Sequence, residues 1–103
     1  MSNAGIIYTT FPYKDAALEA SKSLVEGGFA ACVNIIDGMC SVYMWDNKLE
    51  SSQEVVMIIK VLKQKMQECK EKLEEIHPYE VPCILEFECI ASEKFLKFMS
   101  MFS

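Results

Sequence analysis

Arginine is missing from the 103-residue chain, because lysine alone makes up the Lys+Arg count of 10, and histidine occurs once, as His77. Without a guanidinium there is no planar fork to grip phosphate or guanine through two parallel hydrogen bonds. With 15 acidic residues against 10 basic ones, the formal charge of −5 repels a phosphate backbone. No nucleic-acid partner is therefore expected. The single imidazole also forces any Ser-His-Asp, Cys-His or histidine-metal mechanism through His77.

Long apolar runs are scarce as well. The run from Val55 to Ile59 is far shorter than the roughly 20 residues that span a bilayer. The N-terminus lacks a basic region followed by a hydrophobic stretch, so a cytoplasmic protein with no membrane partner is expected. The five cysteines, Cys32, Cys40, Cys69, Cys83 and Cys89, are odd in number and contain no C-x-x-C pair. That pattern predicts free, mostly buried thiols, with neither a disulfide framework nor a zinc knuckle. No G-x-G-x-x-G or P-loop pattern occurs, and Gly27-Gly28 follows a helical segment instead of opening one. Ser2-Asn3-Ala4 matches a cloning remnant and carries no argument.

What is present reads as one globular unit. About half of the residues are apolar and 24% charged, a balance that suits a single domain over residues 1–103. Gly5 to Phe11 is β-branched and aromatic and stops at Pro12, a first strand. Ala16, Ala17, Ala20 and Leu24 recur at helical spacing up to the Gly27-Gly28 stop. Phe29 to Ile36 and Ser41 to Trp45 read as strand interrupted by a bulge at Asp37-Gly38, and Gln53 to Leu62 resumes after an Asp46-Asn47 turn. Leu62, Met66, Cys69, Leu73 and Ile76 step at helical intervals toward His77-Pro78. Cys83 to Ile90 is a fourth strand, and Ser92 caps a short final helix. The predicted fold class is α+β, a ferredoxin-like β-α-β-β-α-β sandwich with a short C-terminal helix. A domain of this size has helices for one sheet face, yet Val55 to Ile59 is apolar at every position. An oligomer burying the second face or edge is therefore expected.

Few side chains offer chemistry. His77, Tyr79 and Glu80 lie on a segment stiffened by Pro78 and Pro82, which suits a ligand site, while the plainer reading makes His77 a helix C-cap. Trp45 and Tyr43 are either packing or the aromatic wall of an intersubunit cleft. Lys60 ends an apolar strand and is the best cation for a pocket, and Thr9-Thr10 could offer hydroxyls to an anion or simply satisfy backbone.

Five segments in register resemble the CutA family, the divalent-cation tolerance proteins: Tyr8-Thr9-Thr10-Phe11-Pro12, Ala30 to Ile35, Ser41 to Trp45 with Lys48 and Glu50, Glu54 to Lys60, and His77 to Pro82. The resemblance covers about Ile6 to Phe98. It implies a PII-like homotrimer with hairpins pairing across subunits, a link to tolerance of copper and other divalent cations, and no enzymatic activity. A family cysteine implicated in copper binding falls on Thr9, of the histidines only His77 remains, and the usual glutamate after Val-Pro is Cys83. Thr9, Asn34, Trp45, Lys60, His77, Tyr79 and Glu80 are then expected around each intersubunit cleft, with His77 and Cys83 as weak copper or zinc ligands and no obligatory cofactor. The alternative is a signalling trimer that binds a small anionic metabolite through Lys60 and Thr9. An acylphosphatase-type enzyme is disfavoured because that chemistry uses arginine.

Overall fold

The computed structural model describes residues 1–102. Strand β1 (Ala4–Phe11) leads into helix α1 (Lys14–Glu26), and the long strands β2 (Cys32–Trp45) and β3 (Lys48–Leu62) follow. A single 3₁₀ turn (Lys63–Lys65) opens helix α2 (Met66–Ile76), after which come β4 (Ile84–Cys89) and α3 (Glu93–Phe102). The sheet order is β2-β3-β1-β4, and each neighbouring pair is antiparallel. This is the expected α+β, ferredoxin-like plan.

Alternation along the strands decides the core. Ile7 and Phe11 of β1 share a face with Val55, Met57, Ile59 and Val61 of β3, and all are buried against Ala17, Ala20 and Leu24 of α1 and Met66, Cys69 and Leu73 of α2. Burying such aliphatic and aromatic side chains contributes roughly 1.5–3 kcal/mol each. Burial pushes the Cys69 thiol up to about 12, so it acts as a small apolar side chain rather than a nucleophile. At Gly5 an added Cβ would lie 2.4 Å from Met66 Sδ, so a glycine here is what lets Met66 close the core from above.

The second sheet face is covered in part by the chain itself, and here the sequence reading needs correcting. Helix α3 folds back so that Met99 packs with Ala4, Ala31 and Leu62, and Val56 is also buried at 8% exposure. Strand β3 thus obtains cover on both sides toward its C-terminal end within one chain. What stays open lies to its flanks, at Ile36 on β2 and at Leu85 and Phe87 on β4, each at least half exposed.

Strands β2 and β3 form one long hairpin, paired from Cys32 opposite Lys60 out to Trp45 opposite Lys48. The connection is the two-residue turn Asp46-Asn47, with φ of 50° and 63°; both central residues of a type I′ turn need positive φ, and Asp and Asn tolerate it. Between Ile36 and Met39 the register shifts by one residue, the bulge expected at Asp37-Gly38. Gly38 adopts φ of 79°, and its N–H donates to the Asp37 carboxylate at 2.8 Å. Beyond the bulge the hairpin becomes an arm that no helix covers, and the molecule is 46 Å long against 27 and 23 Å across.

Element boundaries differ from the sequence reading where backbone needs compete with side-chain pattern. Phe29 and Ala30 are not strand, because both of their N–H groups donate to the Leu24 carbonyl and close α1. Strand β3 begins at Lys48 rather than Gln53, since the tight turn starts pairing at once. Leu62 belongs to β3 alone, and α2 begins four residues later, after the 3₁₀ turn. Ser92 does cap α3, its Oγ accepting the Phe95 N–H at 3.4 Å.

Candidate functional site

A cleft of about 670 Å³ lies where the arm leaves the sheet. Its walls come from three places: Thr10 and Pro12 at the end of β1, Tyr43, Trp45, Glu50, Ser52 and Glu54 on the hairpin, and Tyr79, Glu80, Val81 and Cys83 on the loop before β4. The hairpin contributes one face only. Tyr43 pairs with Glu50 and Ser41 with Ser52, so these side chains project together, while Val42, Met44 and Leu49 project from the opposite face. Those three are 67%, 63% and 73% exposed.

Glu54 is the hub of the cleft. Its carboxylate accepts the Tyr79 hydroxyl at 2.7 Å and the Ser41 hydroxyl, tying loop, β3 and β2 together. Burial, then the hydrogen bond to Glu54, raises the Tyr79 phenol well above its ordinary range, so it remains a donor. The ion pairs among the described residues all lie along the 3₁₀ turn, α2 and β4: Lys63 with Glu88, Lys65 with Glu68, Lys70 with Glu86 and Lys72 with Glu75. None of them involves Glu50, Glu54 or Glu80, and no lysine lines the cleft. Its charged lining is entirely anionic. The lysine nearest in register is Lys48, opposite Trp45 at the tip of the arm.

His77 stands behind this wall rather than in it. Its Nε2 lies 2.9 Å from the Thr10 carbonyl oxygen, which can only accept, so Nε2 carries the proton. Nδ1 accordingly accepts the Tyr79 backbone N–H at 3.1 Å, and Thr9 Oγ1 sits 3.1 Å from Nε2. Phe11 and Tyr79 pack on the ring, with centroids 4.3 and 5.1 Å away. Burial lowers the His77 pKa below its ordinary value, against the opposing pull of the Thr10 carbonyl and Glu54. The ring is a neutral strap between the end of β1 and the loop that carries Tyr79. His77 occupies the C-cap position of α2, but the carbonyl its side chain reaches belongs to β1 and not to its own helix.

Of the residues expected around the site, Trp45, Tyr79, Glu80 and Cys83 line the cleft. Thr9 is fully buried on the helix side of β1, and its neighbour Thr10 takes the place at the cleft. Asn34 is exposed on edge strand β2. Lys60 lies six residues along β3 from Glu54, roughly 20 Å at ~3.3 Å per residue, with its Nζ 5.5 Å from the Phe95 ring. The sequence reading missed Glu54. The signal available was a carboxylate directly preceding the apolar run Val55 to Ile59.

A divalent cation of the kind expected at His77 and Cys83 does not fit this arrangement in one chain. Neither nitrogen of His77 has a free lone pair, and among the described residues no three His, Cys, Asp or Glu side chains are grouped closely enough to hold an ion.

Fold and cleft together define a class: a ferredoxin-like α+β domain that carries a cleft at the root of a projecting hairpin. Within that class the chain matches the family model described as CutA1 divalent ion tolerance protein over residues 5–101, and it belongs to that family. It is similar to the divalent-cation tolerance protein CutA of Pyrococcus horikoshii, 35% identical over 95 residues that make up 91% of this chain and 92% of that one. The corresponding protein of Thermus thermophilus is 35% identical over 80 residues, 78% of each chain. Among solved structures, divalent ion tolerance protein CutA1 from Ehrlichia chaffeensis superposes with a TM-score of 0.93 at 31% identity, covering 98% of this chain and 95% of that one.

Proposed function

We propose that the chain is a non-enzymatic cytoplasmic binding protein that acts as a homotrimer in the response to divalent cations, with the cleft at the root of the arm as its cation-receiving site. The observation that carries this reading is the lining itself: Glu50, Glu54 and Glu80 supply negative charge, and no lysine neutralises them there. Such a surface concentrates cations without chelating them. The anionic-metabolite alternative needs a positive group in the cleft, which a neighbouring copy would have to bring, because Lys60 sits under α3.

Assembly is supported by the arm. Val42, Met44 and Leu49 form an apolar face on a projecting hairpin, and Leu85, Phe87 and Ile36 leave open apolar surface on the sheet. Such surface is costly in water and is commonly covered by another copy. Light scattering should give three times the mass of one chain, and Val42→Ser with Leu49→Ser should lower it; the mass of a single chain for the unaltered protein would refute the assembly. Calorimetry with Zn(II) should give weak binding that Glu54→Gln with Glu80→Gln diminishes and His77→Ala does not remove. Equal titrations of the unaltered protein and the double carboxylate variant would exclude the cleft as the cation site.

A further inference from the structure

We infer that the cleft takes an elongated organic ammonium ion, of the alkyl diamine or triamine class, in preference to a compact metal ion. This deepens the cation-receiving reading and depends on it, but it requires neither the trimer nor chelation.

The spacing of the carboxylates is the first observation. Glu50 and Glu54 are four residues apart on one strand, about 13 Å at ~3.3 Å per residue, and Glu80 enters from a different element. A metal ion needs donors within about 2–2.6 Å of one point. Among the described residues no three candidate ligands converge in that way. A cation with its charge distributed along a chain can meet each carboxylate separately.

The second observation is the nature of the wall. Tyr43, Trp45 and Tyr79 bring aromatic rings to the same cleft, and Pro12 and Val81 add apolar surface. Aromatic faces attract alkylammonium groups through the ring quadrupole. They give little to a fully hydrated metal ion. Methylene spacers would lie against Pro12 and Val81, and the ammonium N–H groups would find acceptors in the carboxylates and the Ser52 hydroxyl. A lining of carboxylates, aromatic faces and acceptors, with no positive side chain, matches that ligand chemistry throughout.

The third is that the cleft is pre-arranged. Tyr79 and Ser41 hold Glu54, and the His77 strap holds Tyr79 from behind. The central carboxylate is thus fixed before any ligand arrives, which lowers the ordering cost of binding.

Trp45 is the only tryptophan, so its emission reports the cleft directly. The full chain in its native assembly is titrated at constant ionic strength with spermidine, with sodium chloride and with Zn(II), by fluorescence and calorimetry in parallel. Spermidine should saturate the signal where the same concentration of sodium does not. Glu50→Gln with Glu54→Gln should weaken it roughly tenfold. Trp45→Ala should weaken the calorimetric affinity about two- to fivefold, and Trp45→Phe should preserve it because the ring face remains. Circular dichroism establishes that each variant is folded. Zn(II) binding without spermidine binding overturns the inference and leaves the cation-receiving site standing. Spermidine binding without Zn(II) binding supports it and removes metal capture, and silence toward both overturns inference and reading together.

Discussion

Strands β2 and β3 each contain two regions that differ in everything except connectivity. From Val55 to Leu62, β3 lies under α1, α2 and α3 and carries the core. From Lys48 to Glu54 the same strand carries no buried residue. The body is stabilised by burial and would fold around its own core, whereas the arm rests on backbone pairing and one tight turn. Core and cleft lining have been separated along a single strand, with Glu54 at the boundary, joining the exposed half to the loop anchored by His77.

Body and arm should differ most in the cost of a core substitution. Leu73→Ala, at a fully buried position of α2, should cost about 2–5 kcal/mol in denaturant-induced unfolding. Leu49→Ser on the arm should cost under about 0.5 kcal/mol when measured on dissociated chains. Comparable losses from the two substitutions would end the distinction between body and arm.

The turn tests the arm alone. Asn47→Val places a β-branched residue at φ of 63°, which should cost about 1–2 kcal/mol of hairpin stability. Hydrogen exchange should then rise in residues 42–51 and remain unchanged in 55–62. Faster exchange in both segments would mean that arm and body unfold as one unit.

A smaller and pH-dependent effect sharpens the boundary itself. The folded chain favours neutral His77, so the unfolded chain takes up the proton first. The contribution of His77 is therefore constant above its ordinary pKa of 6.5 and declines as the pH falls below that value. Protonation would set a second donor against the Tyr79 N–H and open the strap. Acid titration of stability should show this component in the unaltered protein and not in His77→Gln; an identical pH profile in the two would mean that the strap does not titrate.

Fold class was legible because each element had an independent local cause: Pro12 to stop β1, Gly27-Gly28 to stop α1, Asp46-Asn47 to turn the hairpin. The cover that α3 gives the second face was not legible, since the apolar residues of a short terminal helix do not say which surface they seek. The candidate site was half legible. Trp45, Tyr79, Glu80 and Cys83 belong to segments whose character stood out, but Glu54 gains its role only from Tyr79, 25 residues away in the chain. Lys60 drew attention as a cation in an apolar strand, and the Phe95 ring that accommodates it lies on a helix whose docking no local pattern disclosed.

The bulge at Asp37-Gly38 behaves like a dislocation in a crystal row. On the body side, Val33 and Ile35 of β2 stand opposite Ile59 and Met57 and share their helix-facing side, whereas past the bulge Tyr43 stands opposite Glu50 on the other side. One extra residue has inverted the odd-even sense of β2, and if the defect glided toward the tip, each residue it passed would turn over. Tyr43 and Trp45 would leave the cleft, and Val42 and Met44 would enter it. The positive φ of Gly38 and its bond to the Asp37 carboxylate pin the defect where it is. A glycine outside the cleft thereby selects which side chains line it.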